Sequence, residues 1–223
     1  MSGLVRADTV SRDLDPATCL AATRFIDSSH PAILAAVDAI ATGPDDITLA
    51  AELFGFVQND IRYEFRAKMV PEQYVASYVL EHGQGFCVQK AVLLCALGRA
   101  AGIPTALVMS DLTDHTLPPP ITQVMGGNTM FQHGLNAIFL NGRWLLADAS
   151  LSPDVVRRKR YRPIVFDGTR DALHSSTRLD GTPHADYRNF HGLFADLPFE
   201  QMMNAFALSY PGIDPLALTK LGY

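Results

Sequence analysis

Cysteine is scarce in these 223 residues: three in all, an odd number, at positions 19, 87 and 95. A disulfide-stapled secreted scaffold needs more of them in pairs, so the expectation is a chain with reduced thiols folded around an apolar core. No apolar run approaches the roughly 20 residues needed to span a bilayer, so no membrane partner is expected. The first 30 residues lack the continuous apolar stretch of a secretory leader, which points to a cytoplasmic protein. Positive charge is in deficit as well, with 18 Lys and Arg against 23 Asp and Glu and a formal net charge of -5. That balance argues against a nonspecific nucleic-acid binder. The basic run Arg157 to Arg162 therefore reads as a solvated surface strip. His174, His184 and His191 do not have the spacing of metal ligands, and no metal or cofactor is expected. Internal repeats and low-complexity tracts are missing too. What is abundant is apolar sequence, 48% of residues, enough to bury a core as one domain.

Turn and cap signals divide the chain. Asp15-Pro16 reads as an N-cap and first position of a helix running to about Asp27, and Pro31 opens a second that Gly43-Pro44 ends. Asp46 caps a third, with Leu49, Leu53, Phe56 and Val57 at helical spacing. Ile61 to Phe65 alternates briefly, and Pro71 to Leu80 predicts another short helix. From Cys87 to Ala101 nearly every residue is apolar or small, the pattern of a helix buried all round. Gly102 and Pro104 end it. Thr105 to Ser110 predicts a strand, and Asp111 to Gln132 an irregular loop, long enough to serve as a lid or binding wall. Arg162 to Phe166 reads as one more strand, and the last fifty residues as helical pieces at best.

The strongest hairpin signal is Gly134 to Leu140, Asn141-Gly142, then Arg143 to Ala149, because Asn-Gly is the preferred type I′ turn pair. With those two residues at the turn, Leu140 faces Arg143, Phe139 faces Trp144 and Leu135 faces Asp148. His133 and Asp148 are then diagonal neighbours on one face, within reach of each other. A slip of one residue would separate them. Cys87 begins its helix, where free amides and the backbone dipole favour a thiolate. A thiol, an imidazole and a carboxylate in this arrangement are the parts of a nucleophilic acyl-transfer site. The Cys87 amide is the natural oxyanion donor, with Gln84 and Gln58 as candidates for a second. Trp144 and Tyr63 are candidate walls of the substrate cleft, with core packing as their plain alternative. Cys19 and Cys95 read as core residues.

Three blocks resemble the transglutaminase-like cysteine-enzyme superfamily: Phe56 to Tyr63, Gly85-Phe86-Cys87 through Gly102-Ile103-Pro104, and His133 to Asn136 with Asn141 to Ser150. The resemblance implies an α+β, papain-like core in which the nucleophile helix packs on an antiparallel sheet, with the triad Cys87, His133 and Asp148. Residues 1–53 would form an N-terminal helical elaboration, 54–150 the catalytic core and 151–223 a C-terminal extension of a single domain. The chain departs from the family pattern in Gly134-Leu135 after the histidine and Ala149-Ser150 after the aspartate. It also lacks the extra domains and calcium sites of the large crosslinking enzymes. The implied activity is that of a small bacterial-type hydrolase or cysteine protease, acting on a peptide, protein or small amide through a thioester. Transfer to an amine is the nearest alternative. A catalytically inert binding module and acyl transfer from a thioester carrier, as in arylamine N-acetyltransferases, stand further off.

Overall fold

Fourteen residues without a polar face, Cys87–Ala100, form the helix around which the other elements are arranged. Cys87 to Arg99 are all buried, as an all-round apolar helix requires. The structure is a computed structural model and describes residues 10–64 and 70–210. Helices α1 (Pro31–Ile40), α2 (Asp46–Asn59) and α3 (Ala76–His82) pack against this helix, α4. A two-stranded parallel pair, β1 (Arg62–Tyr63) with β2 (Gln84–Gly85), leads into it. Phe65, the end of the expected alternating segment, lies outside the described residues.

A four-stranded antiparallel sheet also packs on α4. It comprises β3 (Thr105–Asp114), β4 (Thr129–Leu140), β5 (Arg143–Ala147) and β6 (Ala185–Phe194), in the order β5-β4-β3-β6. Helices α5 (Pro119–Met125), α6 (Pro153–Lys159) and α7 (Phe199–Ser209) complete the elements. This is the mixed α+β, papain/transglutaminase-like arrangement, with an N-terminal helical segment. One apolar cluster fills the space between α4, its helices and the inner sheet face, through Leu107, Met109, Ile138 and Leu145. A second covers the outer face, through Val108, Leu135, Ala137, Trp144 and Leu146.

Close approach of backbones sets how α4 sits. A Cβ at Gly134 of β4 would lie 2.7 Å from the Val88 Cα and 3.1 Å from its nitrogen. Only a residue without a side chain lets the strand touch the first turn of the helix there.

The Asn141-Gly142 turn has positive φ at both residues, 50° and 76°, as a type I′ turn demands. Its register is the expected one: Leu140 pairs with Arg143, Phe139 with Trp144, and Asn136 with Ala147. The expected pair Leu135–Asp148 does not form. Beyond Ala147 the chain leaves β4, and the Asp148 amide donates instead to the Ala172 carbonyl at 2.9 Å.

Four expectations need correction. The helix expected from Pro16 to Asp27 is a single 3-10 turn, Pro16–Cys19. Cys19 belongs to the outer cluster and Phe25 and Ile26 to the inner one, so this segment must cross between them and cannot keep one helical face. The loop expected from 111 to 132 is mostly ordered, since β3 and β4 both extend into it and Pro118 to Pro120 start α5. Proline suits a first helical turn, whose amides have no partner in any case. Residues 162–166 form no strand, although Ile164 and Phe166 are buried. The C-terminal region contributes a full strand, β6, where only helical pieces were expected.

Candidate active site

Cys87 is the first residue of α4 and only 7% exposed. Phe86, at the N-cap, is extended and offers no side-chain cap, so the first-turn amides are not used up by a capping oxygen. Gln89 reaches back to accept from the Phe86 amide at 3.2 Å, and its own amide donates to the Gln73 carbonyl at 2.6 Å. The thiol is thus presented at the positive end of a long, buried and anchored helix.

His133 and Asp148 meet through Nε2 and Oδ2 at 2.7 Å, both buried. The other imidazole nitrogen, Nδ1, is buried and makes no hydrogen bond of normal geometry among the described residues. Cys87 nevertheless lies close enough to act on the ring. Burial alone would lower the pKa of His133, but the Asp148 carboxylate and then Cys87, by charge and hydrogen bonding, push it up to about 10. The positively charged imidazole is therefore favoured in place.

Asp148 is held from every side. Its Oδ2 accepts from the Tyr187 hydroxyl at 2.8 Å and lies 3.3 Å from Nε2 of His174, while Oδ1 accepts from the Ser150 amide at 3.0 Å. Burial would raise its pKa, yet the imidazoles of His174 and His133 hold it well below the usual carboxylate range. His174 and Tyr187 are functional neighbours that sequence reasoning missed. Both come from the C-terminal region, 26 and 39 residues beyond Asp148, and no local spacing signals their approach.

His133, Asp148 and His174 also place three ligand-type atoms within 4.8 Å of one another, a grouping the spacing of His174 alone could not reveal. Both Nε2 atoms are directed at the same carboxylate oxygen, at hydrogen-bonding separations, with the Tyr187 hydroxyl on it as well. The arrangement is that of an orienting network in which the three groups are already one another's partners.

Cys87 and His133 line a cavity of about 370 Å³. Its walls are largely apolar, and include Leu112, Ile121 and Met125 together with Met203, Phe206 and Tyr210 from α7 and its C-cap. His174, His184 and Ser150 add polar groups, and Tyr63 also lines it. Trp144 does not. It is buried in the outer cluster, and its indole N–H donates to the Leu14 carbonyl at 3.1 Å. The two glutamines considered as oxyanion donors are placed elsewhere. Gln84 accepts from Arg62 at 2.6 Å and Gln58 donates to the Ile164 carbonyl at 3.1 Å, and neither lines the cavity. The basic run is mostly the expected exposed strip, but Arg158 and Lys159 reach the cavity rim.

A helix that begins at a cysteine and packs on an antiparallel sheet, with a buried histidine–carboxylate pair near that end, is the arrangement of the papain-like fold. The chain belongs to the transglutaminase-like superfamily, whose family model matches residues 35–149. Members of that superfamily are generally enzymes. Among solved structures, the chain is similar to a proposed cysteine protease of Cytophaga hutchinsonii, at 18% identity and TM-score 0.49, over 84% of this chain and 51% of that one. It is also similar to the arylamine N-acetyltransferase of Nocardia farcinica, at 14% identity and TM-score 0.49, over 83% and 72% of the two chains. The chain spans about half the length of the first. The family assignment rests on the family match and not on these distant likenesses. A comparison with curated proteins finds no match.

Proposed function

We propose that this protein is a thiol acyl-transfer enzyme that hydrolyses an amide or peptide bond through a thioester on Cys87. The observation that carries the reading is the division of labour on His133: Nε2 is fixed by Asp148, while Nδ1 is buried with no hydrogen-bond partner among the described residues, on a ring that feels Cys87. In that arrangement the carboxylate orients the ring and stabilises its charged form, and the ring holds the proton of the thiol. The thiolate sulfur adds to the substrate carbonyl, forming the C–S bond and placing the π electron pair on oxygen. Collapse expels the amine, which takes the proton from His133. Water then adds to the thioester, giving its proton to the same imidazole, and the acid leaves as Cys87 is restored.

The apolar cavity supports a small amide or a peptide side chain with an apolar acyl portion as substrate. Its lining also favours a second reading, transfer of the acyl group to an amine, because an apolar wall limits the water available to the thioester.

The test is acylation by p-nitrophenyl butyrate, followed as release of nitrophenolate. A burst of about one equivalent per protein is expected, lost in Cys87→Ala and in His133→Ala. Iodoacetamide should label Cys87 rapidly at about pH 6, and His133→Ala should abolish that rate. Added hydroxylamine separates the two acceptors, by diverting the acyl group to a hydroxamate. Ester turnover that persists in Cys87→Ala, or a thiol indifferent to His133, would sink the proposal.

A further inference from the structure

Strand β4 does something beside Cys87 that a regular strand cannot. Met130, Phe131, Gln132 and His133 are consecutive, yet all four line the same cavity, whereas alternating side chains should divide between two faces. The break lies at Gln132. Between the pairs Ser110–His133 and Leu112–Met130, two residues of β4, Phe131 and Gln132, stand opposite one residue of β3, Asp111. This is a β-bulge, a device that re-aims a side chain and recurs beside active sites. Gln132 occupies the left-handed region, with φ 58°. Left-handed backbone ordinarily favours glycine, because another residue there costs about 1–2 kcal/mol.

The strained conformation is held from across the strands. The Asp111 carboxylate accepts from the Gln132 amide N–H at 3.3 Å and lies 2.9 Å from His191 Nε2. The Gln132 side-chain amide, by contrast, makes no hydrogen bond among the described residues. It is not among the side-chain groups sealed without a partner either, and Gln132 lines the cavity. A turn alone would be met more cheaply by glycine. What glutamine adds is a two-proton donor in a mostly apolar wall, one residue from the imidazole that serves Cys87.

We propose that the Gln132 side-chain amide is the second oxyanion donor, completing with the Cys87 backbone N–H the pair that binds the carbonyl oxygen during acyl transfer. The inference rests on the acyl-transfer reading and adds a catalytic residue to it. As the thiolate adds, charge gathers on that oxygen, and a preorganised amide in a dry cavity stabilises it more than it stabilises the neutral carbonyl.

Acylation and alkylation separate this role from a structural one. Attack on an ester builds an oxyanion; displacement of iodide from iodoacetamide does not. Gln132→Gly removes the donor while relieving the backbone, and Gln132→Glu keeps the shape while removing the N–H. Both should slow the p-nitrophenyl butyrate burst by about 10²-fold. Both should leave iodoacetamide labelling of Cys87 within about twofold of wild type, and Gln132→Gly should melt no lower. A Gln132→Gly burst at the wild-type rate would overturn the proposal, as would a parallel loss of labelling and burst, which marks a purely structural residue. Wild-type protein that shows no burst at all overturns the acyl-transfer reading itself, a result distinct from either.

Discussion

Replacing Gly134 by alanine tests whether close packing of strand on helix places the thiol beside its imidazole. The added methyl would lie 2.7 Å from the Val88 Cα and 3.1 Å from the Val88 nitrogen. The nearest atoms are backbone at the first turn of α4, which no side-chain rotation can clear. Ordinary carbon–carbon contact requires about 3.5–4.0 Å, so helix and strand must part by roughly 1 Å. Overpacking of this kind costs about 1–3 kcal/mol. The displacement falls between Cys87 and His133, the neighbours of the two clashing residues. Misplacement of reacting groups by about 1 Å costs on the order of 10²-fold in rate. Gly134→Ala should therefore stay folded by circular dichroism and melt lower. Its p-nitrophenyl butyrate burst and its iodoacetamide labelling should both fall by about that factor. The paired loss distinguishes it from Gln132→Gly, in which labelling survives. A variant that folds, melts like wild type and labels at the wild-type rate would refute the argument.

Two further predictions concern ionisation. Lys90 is fully buried, donates to the Ile61 carbonyl at 2.7 Å, and burial lowers its pKa from 10.5 to about 7. A depressed lysine binds its proton more weakly in the folded state than in the unfolded one, so its contribution to stability grows as pH rises from about 7 toward 10.5. Urea unfolding should show wild type gaining on Lys90→Met across that range, and parallel pH curves would refute the assignment. Asp148, whose pKa is depressed in the fold, contributes stability that is lost as pH falls through its folded value. His174→Phe removes the largest favourable influence on that carboxylate, so acid unfolding followed by far-ultraviolet circular dichroism should begin at higher pH than in wild type; coincident acid transitions would count against it.

The parts of the site that the sequence revealed were those encoded by local pattern. The mostly apolar run from Cys87 to Ala101 could only be a buried helix, and Asn141-Gly142 set the register of β4 on β5 as far as Ala147. The ladder, expected to continue through Asp148, ends at Ala147, where the Asp148 amide turns to Ala172. Interactions that depend on distant segments left no such mark. Tyr187 reaches Asp148 because β6 pairs with β3, Leu112 with Tyr187, and His174 because Ala172 bridges to Ala147, associations that no window of sequence displays. The bulge at Gln132 was hidden for another reason: a glycine would have advertised it, and the chain has none there. Trp144 showed the limit of face assignment, since sharing a face with Asp148 placed it in the outer core and not beside the cavity.

The position of β6 has a bearing on the order in which the living chain is made. Cys87, His133 and Asp148 all leave the ribosome before Tyr187 and the strand that delivers it to the carboxylate. A nascent polypeptide already carrying all three groups still lacks the hydroxyl and the second imidazole that steady Asp148, and the β3 edge is still open. Asp148 is therefore steadied in full only once the segment carrying His174 and Tyr187 has been made.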